Sequence, residues 1–289
     1  MRTNNSALHE ALRAFRQTHA VRAHVIAGHT WDVIEAGSGE GTIVLLPGGG
    51  TSAESEFPLI AALEPHARVL SIGCPSTVKS VREAIDGLKT LLDDYDVNAC
   101  YLLGHSLGGI FAQCFAQTFP ERVDGLILAN VANYSLRRGK MIKAILRSAR
   151  YLPKKAIIGL LRVRTNRLLK GHADCDFWIA YFTEDEMTRV GSEGIVNRGA
   201  CIDDAIEHWS SAAKPMKRWN GPILILESDN ETGFTAAERE AFRDFYAHAT
   251  VHTFHGAGHL SNLTRPEEFN AAVLDFIGRG VGERREARD

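Results

Sequence analysis

The segment Gly104-His105-Ser106-Leu107-Gly108-Gly109 constrains this 289-residue chain more than any other. It follows a short apolar run at 99–103 and precedes 110–119, which has the length and pattern of a helix stopped by Pro120. G-x-S-x-G between a buried strand and a helix marks a turn so tight that a side chain at either flanking glycine would crowd neighbouring backbone. The turn lifts the serine hydroxyl off the sheet. It sets it at a helix N-terminus, where free amides meet developing negative charge.

The surrounding pattern fits that requirement. Residues 21–26 and 31–36 alternate about Gly28-His29 and read as an edge hairpin. Residues 42–46 form an apolar run ending in Pro47-Gly48-Gly49-Gly50. A helix at 54–63, a strand at 67–72, a helix at 81–92 capped by Ser80, and strands at 99–103 and 123–131 follow. Strand–helix alternation of this kind predicts an α/β fold with a parallel sheet covered on both faces. It breaks at 133–215, which reads as several helices. Strands at 223–226 and 251–254 and helices at 235–246 and 266–277 resume it, and 278–289 is expected to fray. The domain reading is a core of 21–132 plus 216–280 with a helical insertion at 133–215.

A serine nucleophile needs a base, and the base an orienting acid. His259 follows the last strand, in Gly256-Ala257-Gly258-His259. Asp229 follows the preceding core strand, in Leu226-Glu227-Ser228-Asp229-Asn230-Glu231. Both lie where such a sheet gathers functional side chains, at strand C-terminal ends. Asp229 is the preferred acid and Glu231, two residues on, the alternative. The oxyanion donors are expected to be the amides of Leu107 and Gly49, with Gly50 as the alternative to Gly49. His105 reads as structural.

Composition narrows the remaining classes. With 45% hydrophobic residues the chain can bury a sizeable core, and a net charge of -2 argues against a dedicated nucleic-acid binder. Five cysteines without a CxxC give neither a disulfide framework nor a zinc site. His252, His255 and His259 lack a zinc motif, and the glycine loops match neither a P-loop nor a dinucleotide fingerprint, so no metal and no cofactor is expected. No signal peptide or transmembrane segment is read, and a cytoplasmic location is the expectation. One stretch stands out: 134–170 holds twelve Arg or Lys and no acid, whereas 174–207 holds nine acids against Arg189 and Arg198. The interleaved apolar residues make the first part a basic amphipathic surface.

Taken together, the glycine loop at 47–50, the elbow at 104–109, Asp229 and His259 occur in an order that resembles the α/β-hydrolase superfamily. Phe119-Pro120-Glu121-Arg122-Val123 and the region from His259 through Pro266-Glu267-Glu268-Phe269 add to the likeness, which covers about 21–280. Pro47 departs from it, standing where that superfamily often has histidine. The stretch 226–235 and the insertion look like maspardin and its bacterial relatives. The resemblance implies the α/β-hydrolase fold, with a mostly parallel eight-stranded sheet, helices on both faces and 133–215 as a lid. Tyr134, Phe177, Trp178, Tyr181 and Phe182 are candidates to line a pocket beneath that lid, with core packing of the lid as the equal alternative.

The resulting expectation is a serine hydrolase, an esterase or thioesterase that forms an acyl-enzyme on Ser106. A small-molecule or acyl-thioester substrate is expected, the latter with an acidic carrier protein docking on the basic lid. Acyl transfer, cyclisation or C–C bond hydrolysis by the same triad remain open. So does a non-catalytic binding or adaptor protein on the same scaffold.

Overall fold

The computed structural model describes residues 4–286, apart from 40, 50, 134, 135, 149, 150, 170, 171, 173, 190 and 210–218. Eight strands form one sheet: β1 (Arg22–Ile26), β2 (His29–Ala36), β3 (Thr42–Leu46), β4 (Arg68–Gly73), β5 (Cys100–His105), β6 (Val123–Ala129), β7 (Ile223–Ser228) and β8 (Thr250–Phe254). Their order is β1-β2-β4-β3-β5-β6-β7-β8. The β1–β2 and β2–β4 pairs are antiparallel and the rest parallel, so the fold is the α/β-hydrolase arrangement expected from the sequence.

Apolar runs without alternation build the centre. Every residue of β5 is buried, as strands covered on both faces require. On one face lie α3 (Val81–Asp94) and α4 (Leu107–Thr118), packed through Ile85, Leu88, Phe111 and Phe115. On the other lie α1 (Asn4–Thr18), α2 (Phe57–Leu63) and α11 (Pro266–Glu286), packed through Leu12, Phe57, Leu63 and Phe269. Ser80 caps α3 by accepting from the Glu83 amide at 3.2 Å. A capping box of Thr235 and Glu238 opens α9 (Ala236–Phe245). The last helix runs to Glu286, past the point where Gly278 and the charged residues beyond it suggested fraying. Its hydrophobic positions Phe269, Val273 and Ile277 anchor it to the core, and the continuation follows from that anchored turn.

Between β6 and β7 stand α5 (Leu136–Ser148), α6 (Lys154–Leu168), α7 (Cys175–Arg189) and α8 (Gly191–Asp204). The basic half is tied inward at α5. Arg138 is paired with Glu238 and donates to the Gly233 carbonyl at 2.7 Å, and Lys143 is paired with Asp203. Met141, Ile145, Leu160 and Val163 remain exposed. Among the described residues no helix is long and apolar enough to cross a membrane.

The elbow makes a sharp steric demand. A Cβ on Gly108 would lie 2.0 Å from the Leu46 carbonyl oxygen, and one on Gly104 would lie 2.4 Å from that of Gly108. Gly108→Ala is therefore expected to lower stability by about 2–3 kcal/mol. Gly159→Ala, in exposed helix with nothing within 4 Å of the new methyl, is expected to raise it by about 0.5–1 kcal/mol. Urea unfolding midpoints of the two variants measure both, and equal midpoints would contradict the geometry.

Candidate active site

Ser106 joins β5 to α4 with φ 50° and ψ −115°, a conformation that non-glycine residues rarely hold and that turns its side chain out of the sheet. His259 reaches it from the loop after β8, with Nε2 at 3.1 Å from the Ser106 Oγ. On the far side of the ring, His259 Nδ1 lies 2.8 Å from Glu231 Oε1. A carboxylate accepts only, so Nδ1 carries the proton and Nε2 is free to accept from the serine hydroxyl. The three groups form a hydrogen-bonded row.

The acid in that row is Glu231, which corrects the preference for Asp229. The Asp229 side chain is 46% exposed and turns to the edge of the sheet. There its oxygens accept from the Gly256 amide at 2.8 Å and pair with His255 Nδ1 at 3.0 Å. The Asp229 amide is held by the Phe254 carbonyl, so β7 is still paired at that residue and its side chain leans away from His259. Two residues on, the chain has turned back and the longer Glu231 side chain, 1% exposed, reaches the imidazole.

Glu231 is held from several sides. Besides His259 it accepts from the Gly233 amide at 2.5 Å and from Asn130 Nδ2 at 2.9 Å. Burial alone would raise its carboxyl. The hydrogen bond and charge of His259, with Gly233 and Asn130, outweigh this and hold the pKa at about 2. A Cβ on Gly233 would strike the His259 ring at 2.6 Å, so only glycine lets the acid loop lie against the imidazole.

Asn130, at φ 45° just past β6, also donates to the Gly258 carbonyl at 3.1 Å and accepts from Ser261 Oγ at 2.5 Å. It binds the acid loop to the histidine loop. Sequence reasoning missed it, although an asparagine directly after the β6 run Leu126-Ile127-Leu128-Ala129, at a strand C-terminal end, was a usable signal. His105 is structural, as read. Its Nε2 donates to the His259 carbonyl at 2.9 Å, and burial is the main cause holding its pKa near 4.

The row opens on a cleft that is partly open to solvent. It is lined by Gly48, Gly49, Thr51, Ser55, Glu56, His105, Ser106, Arg164, Thr165, Leu168, Phe182, His259, Leu260, Asn262 and Leu263. Gly49 lies against Leu107, since a Cβ on Gly49 would meet the Leu107 side chain at 3.1 Å. The two loops expected to donate to an oxyanion thus abut beside Ser106. Gly50 and Tyr134 fall outside the described residues.

Of the remaining aromatic candidates, Phe182 lines the cleft, whereas Phe177, Trp178 and Tyr181 do not. They pack with one another and with Phe57 of α2, at ring separations of 5.0–6.3 Å, and so join the insertion to the core. Their apolar area is better buried there than in a wet cleft. Glu56, Asn262, Arg164 and Thr165 give the cleft a more polar wall than the aromatic sequence pattern suggested. Among the described residues no cluster of His, Cys, Asp and Glu suits a metal ion.

Comparison with known proteins bears on this arrangement. A 2-hydroxy-6-oxononadienedioate/2-hydroxy-6-oxononatrienedioate hydrolase of Cupriavidus pinatubonensis is 24% identical over 269 residues, 84% of this chain and 89% of that one. The crystal structure of an enol-lactonase from Burkholderia xenovorans LB400 superposes with a TM-score of 0.73 at 21% identity, covering 89% of this chain and all of that one. A meta-cleavage product hydrolase from Pseudomonas fluorescens IP01 gives a TM-score of 0.71 at 19% identity, covering 89% and 97%. These similarities lend no support to the nearer likeness to maspardin. The model of the alpha/beta hydrolase family matches residues 43–272, from β3 into α11. The chain belongs to the alpha/beta hydrolase family.

Proposed function

We propose that this hydrolase cleaves a carbon–carbon bond next to a ketone in a small conjugated oxo acid, through an acyl-enzyme on Ser106. The row from Glu231 through His259 to Ser106, opening on a cleft whose wall includes Glu56, Asn262 and Arg164, carries this reading. His259 takes the hydroxyl proton as Ser106 Oγ attacks the ketone carbon. The Gly49 and Leu107 amides receive the oxyanion, and Glu231 stabilises the imidazolium. The diene first ketonises, its 2-hydroxyl proton moving to the carbon next to the ketone; the C–C bond then breaks, and its electron pair passes through the conjugated chain to the 2-oxo oxygen as a dienolate. His259 returns a proton to that fragment. Water, deprotonated by His259, releases the acid and restores Ser106.

A carbon leaving group departs this way only when conjugation spreads the charge. The 2-hydroxy-6-oxo dienes named for the similar hydrolases have that conjugation in their 2-oxo tautomer. The polar wall favours such an acid over a long acyl chain, and the insertion 133–215 acts as the cleft's lid through α6 and α7. Short esters and enol-lactones are secondary substrates of the same chemistry. The acidic-carrier reading of the basic lid gains nothing from these relatives, whose names specify small acids.

Loss of the long-wavelength absorbance of a 2-hydroxy-6-oxo-dienoate, beside turnover of short and long p-nitrophenyl esters, tests the reading. Cleavage of the dienoate is expected, and turnover of long esters alone would overturn it. Fluorophosphonate labelling is expected in the wild type and absent in Ser106→Ala. An unlabelled wild type would instead indicate a binding protein on a hydrolase scaffold.

For the acid, Glu231→Gln is expected to lower kcat by about 10³–10⁴-fold, whereas Asp229→Asn changes it by no more than about twofold. The reverse ranking would restore Asp229.

The same carboxylate links stability to pH. The pKa of Glu231 is about 2 in the folded chain against an ordinary 4.5. Its contribution is therefore complete above pH 4.5 and is lost as pH falls toward 2. Between about pH 6 and about pH 3 the wild type is expected to lose more stability than Glu231→Gln, read as urea midpoints.

A further inference from the structure

A second carboxyl, which the triad does not use, lies in the same cleft. Glu56 ends the 3-10 turn Ala53–Glu56 ahead of α2 and is 5% exposed, yet it lines the cleft with Ser106 and His259. Its Oε2 accepts from Asn262 Nδ2 at 3.1 Å, and its Oε1 has no hydrogen-bond partner among the described residues. Asn262 also lines the cleft, and its buried Oδ1 has no partner either. Neighbouring Glu54 is not in this position, because Arg16 holds it with bonds of 2.6 and 2.8 Å and Tyr181 donates to it.

We propose that Glu56, braced by Asn262, forms a recognition site in the cleft that donates a hydrogen bond to a carboxylate carried by the substrate away from the scissile carbonyl. The inference rests on the cleft being the substrate site proposed above. Its logic is a count of donors and acceptors. A neutral carboxylic acid has one carbonyl oxygen and one hydroxyl. Asn262 donates to Oε2, so Oε2 is the carbonyl oxygen and the proton sits on Oε1. That hydroxyl finds no acceptor among the described residues and belongs to a side chain that lines the cleft, where a ligand can supply one. A carboxylate is acceptor-only and fits it.

Burial raises the pKa of Glu56 to about 7, against the smaller opposing effect of the Asn262 hydrogen bond, so the acid form is present at and below neutrality. Above neutrality the donor is lost and a negative charge faces the incoming carboxylate. The other charged or titratable groups of the cleft are His105, held neutral with a pKa near 4, His259 and Arg164. Glu231 stands behind His259 and stays ionised.

The test compares two six-carbon acyl esters that differ at the far end, p-nitrophenyl hydrogen adipate and p-nitrophenyl hexanoate. The neutral ester corrects for every other group in the cleft, His259 included. In the wild type the KM ratio, adipate over hexanoate, is expected to rise about tenfold between about pH 6 and about pH 8.5. In Glu56→Gln, whose amide nitrogen donates without titrating, the ratio is expected to stay flat. A pH-independent ratio in the wild type, or an undiminished rise in Glu56→Gln, would overturn the proposal.

Calorimetric binding of monomethyl adipate to Ser106→Ala at the two pH values, with and without Glu56→Gln, gives the same readout without turnover. Pairing lost above neutrality only where Glu56 is intact supports the site. Binding that ignores Glu56 at both pH values overturns it. Failure of the C–C reading alone leaves both measurements interpretable, because neither uses a carbon leaving group.

Discussion

The backbone of Gly108 touches the backbone of Leu46 and Pro47, and the site is organised around that contact. No side chain fits between them, so the loop after β3 and the turn after β5 move as one body. This fixes Gly49 against Leu107 and therefore the spacing of the two amides beside the serine. It also forces Ser106 to a positive φ, a strain of about 1–3 kcal/mol that persists only where the surroundings over-determine it. They do so here: β5 is buried throughout, the Ser106 amide is bonded to the Ala129 carbonyl, and α4 starts on the Ser106 carbonyl. Strain at the serine and the abutment of Gly49 on Leu107 thus share a cause.

Electrostatics then divides the labour between two buried carboxyls. Glu231 and Glu56 are both removed from water, and burial alone would neutralise each. Glu231 has three donors, one on an imidazole that becomes cationic during turnover, and remains an anion. Glu56 has one amide donor and keeps its proton. Donor count, rather than depth, separates them. In the proposed reaction an anion beneath His259 stabilises the imidazolium formed when Ser106 attacks. In the proposed recognition site a neutral acid across the cleft avoids a second charge that would work against a substrate carboxylate.

How much of this could be read in the sequence depends on how local the determining physics is. The elbow was legible because its glycines answer a steric demand set within a few residues. The parallel sheet was legible because unalternating apolar runs have few other solutions. The choice between Asp229 and Glu231 was not, because it turns on the point where β7 stops pairing with β8, a fact about a strand more than twenty residues away. Phe177, Trp178 and Tyr181 were read as pocket residues. Their helical spacing shows only that they share a helix, and whether that side meets the cleft or α2 is settled by where the insertion lies. Glu56 was hidden for a related reason: an acid among acids in Glu54-Ser55-Glu56 looks solvent-facing until the turn buries it.

The insertion explains how polar side chains come to share the cleft wall with apolar ones. It is tied on one side by Arg138 to Glu238 and to the Gly233 carbonyl, within the loop that presents Glu231. On the other side the aromatic cluster of α7 seats it on α2. Between these two anchors α6 crosses the cleft and contributes Arg164, Thr165 and Leu168 to its wall. Because Phe177, Trp178 and Tyr181 are consumed in anchoring α7, Phe182 alone of that cluster reaches the cavity, where it shares the wall with residues of α6, of the turn at 53–56 and of the loops that follow β3 and β8. A cleft built this way offers apolar area with a few placed donors and charges among it. Discrimination among substrates then follows from unmatched polar groups, which penalise a wrong ligand more heavily than a missing methylene does.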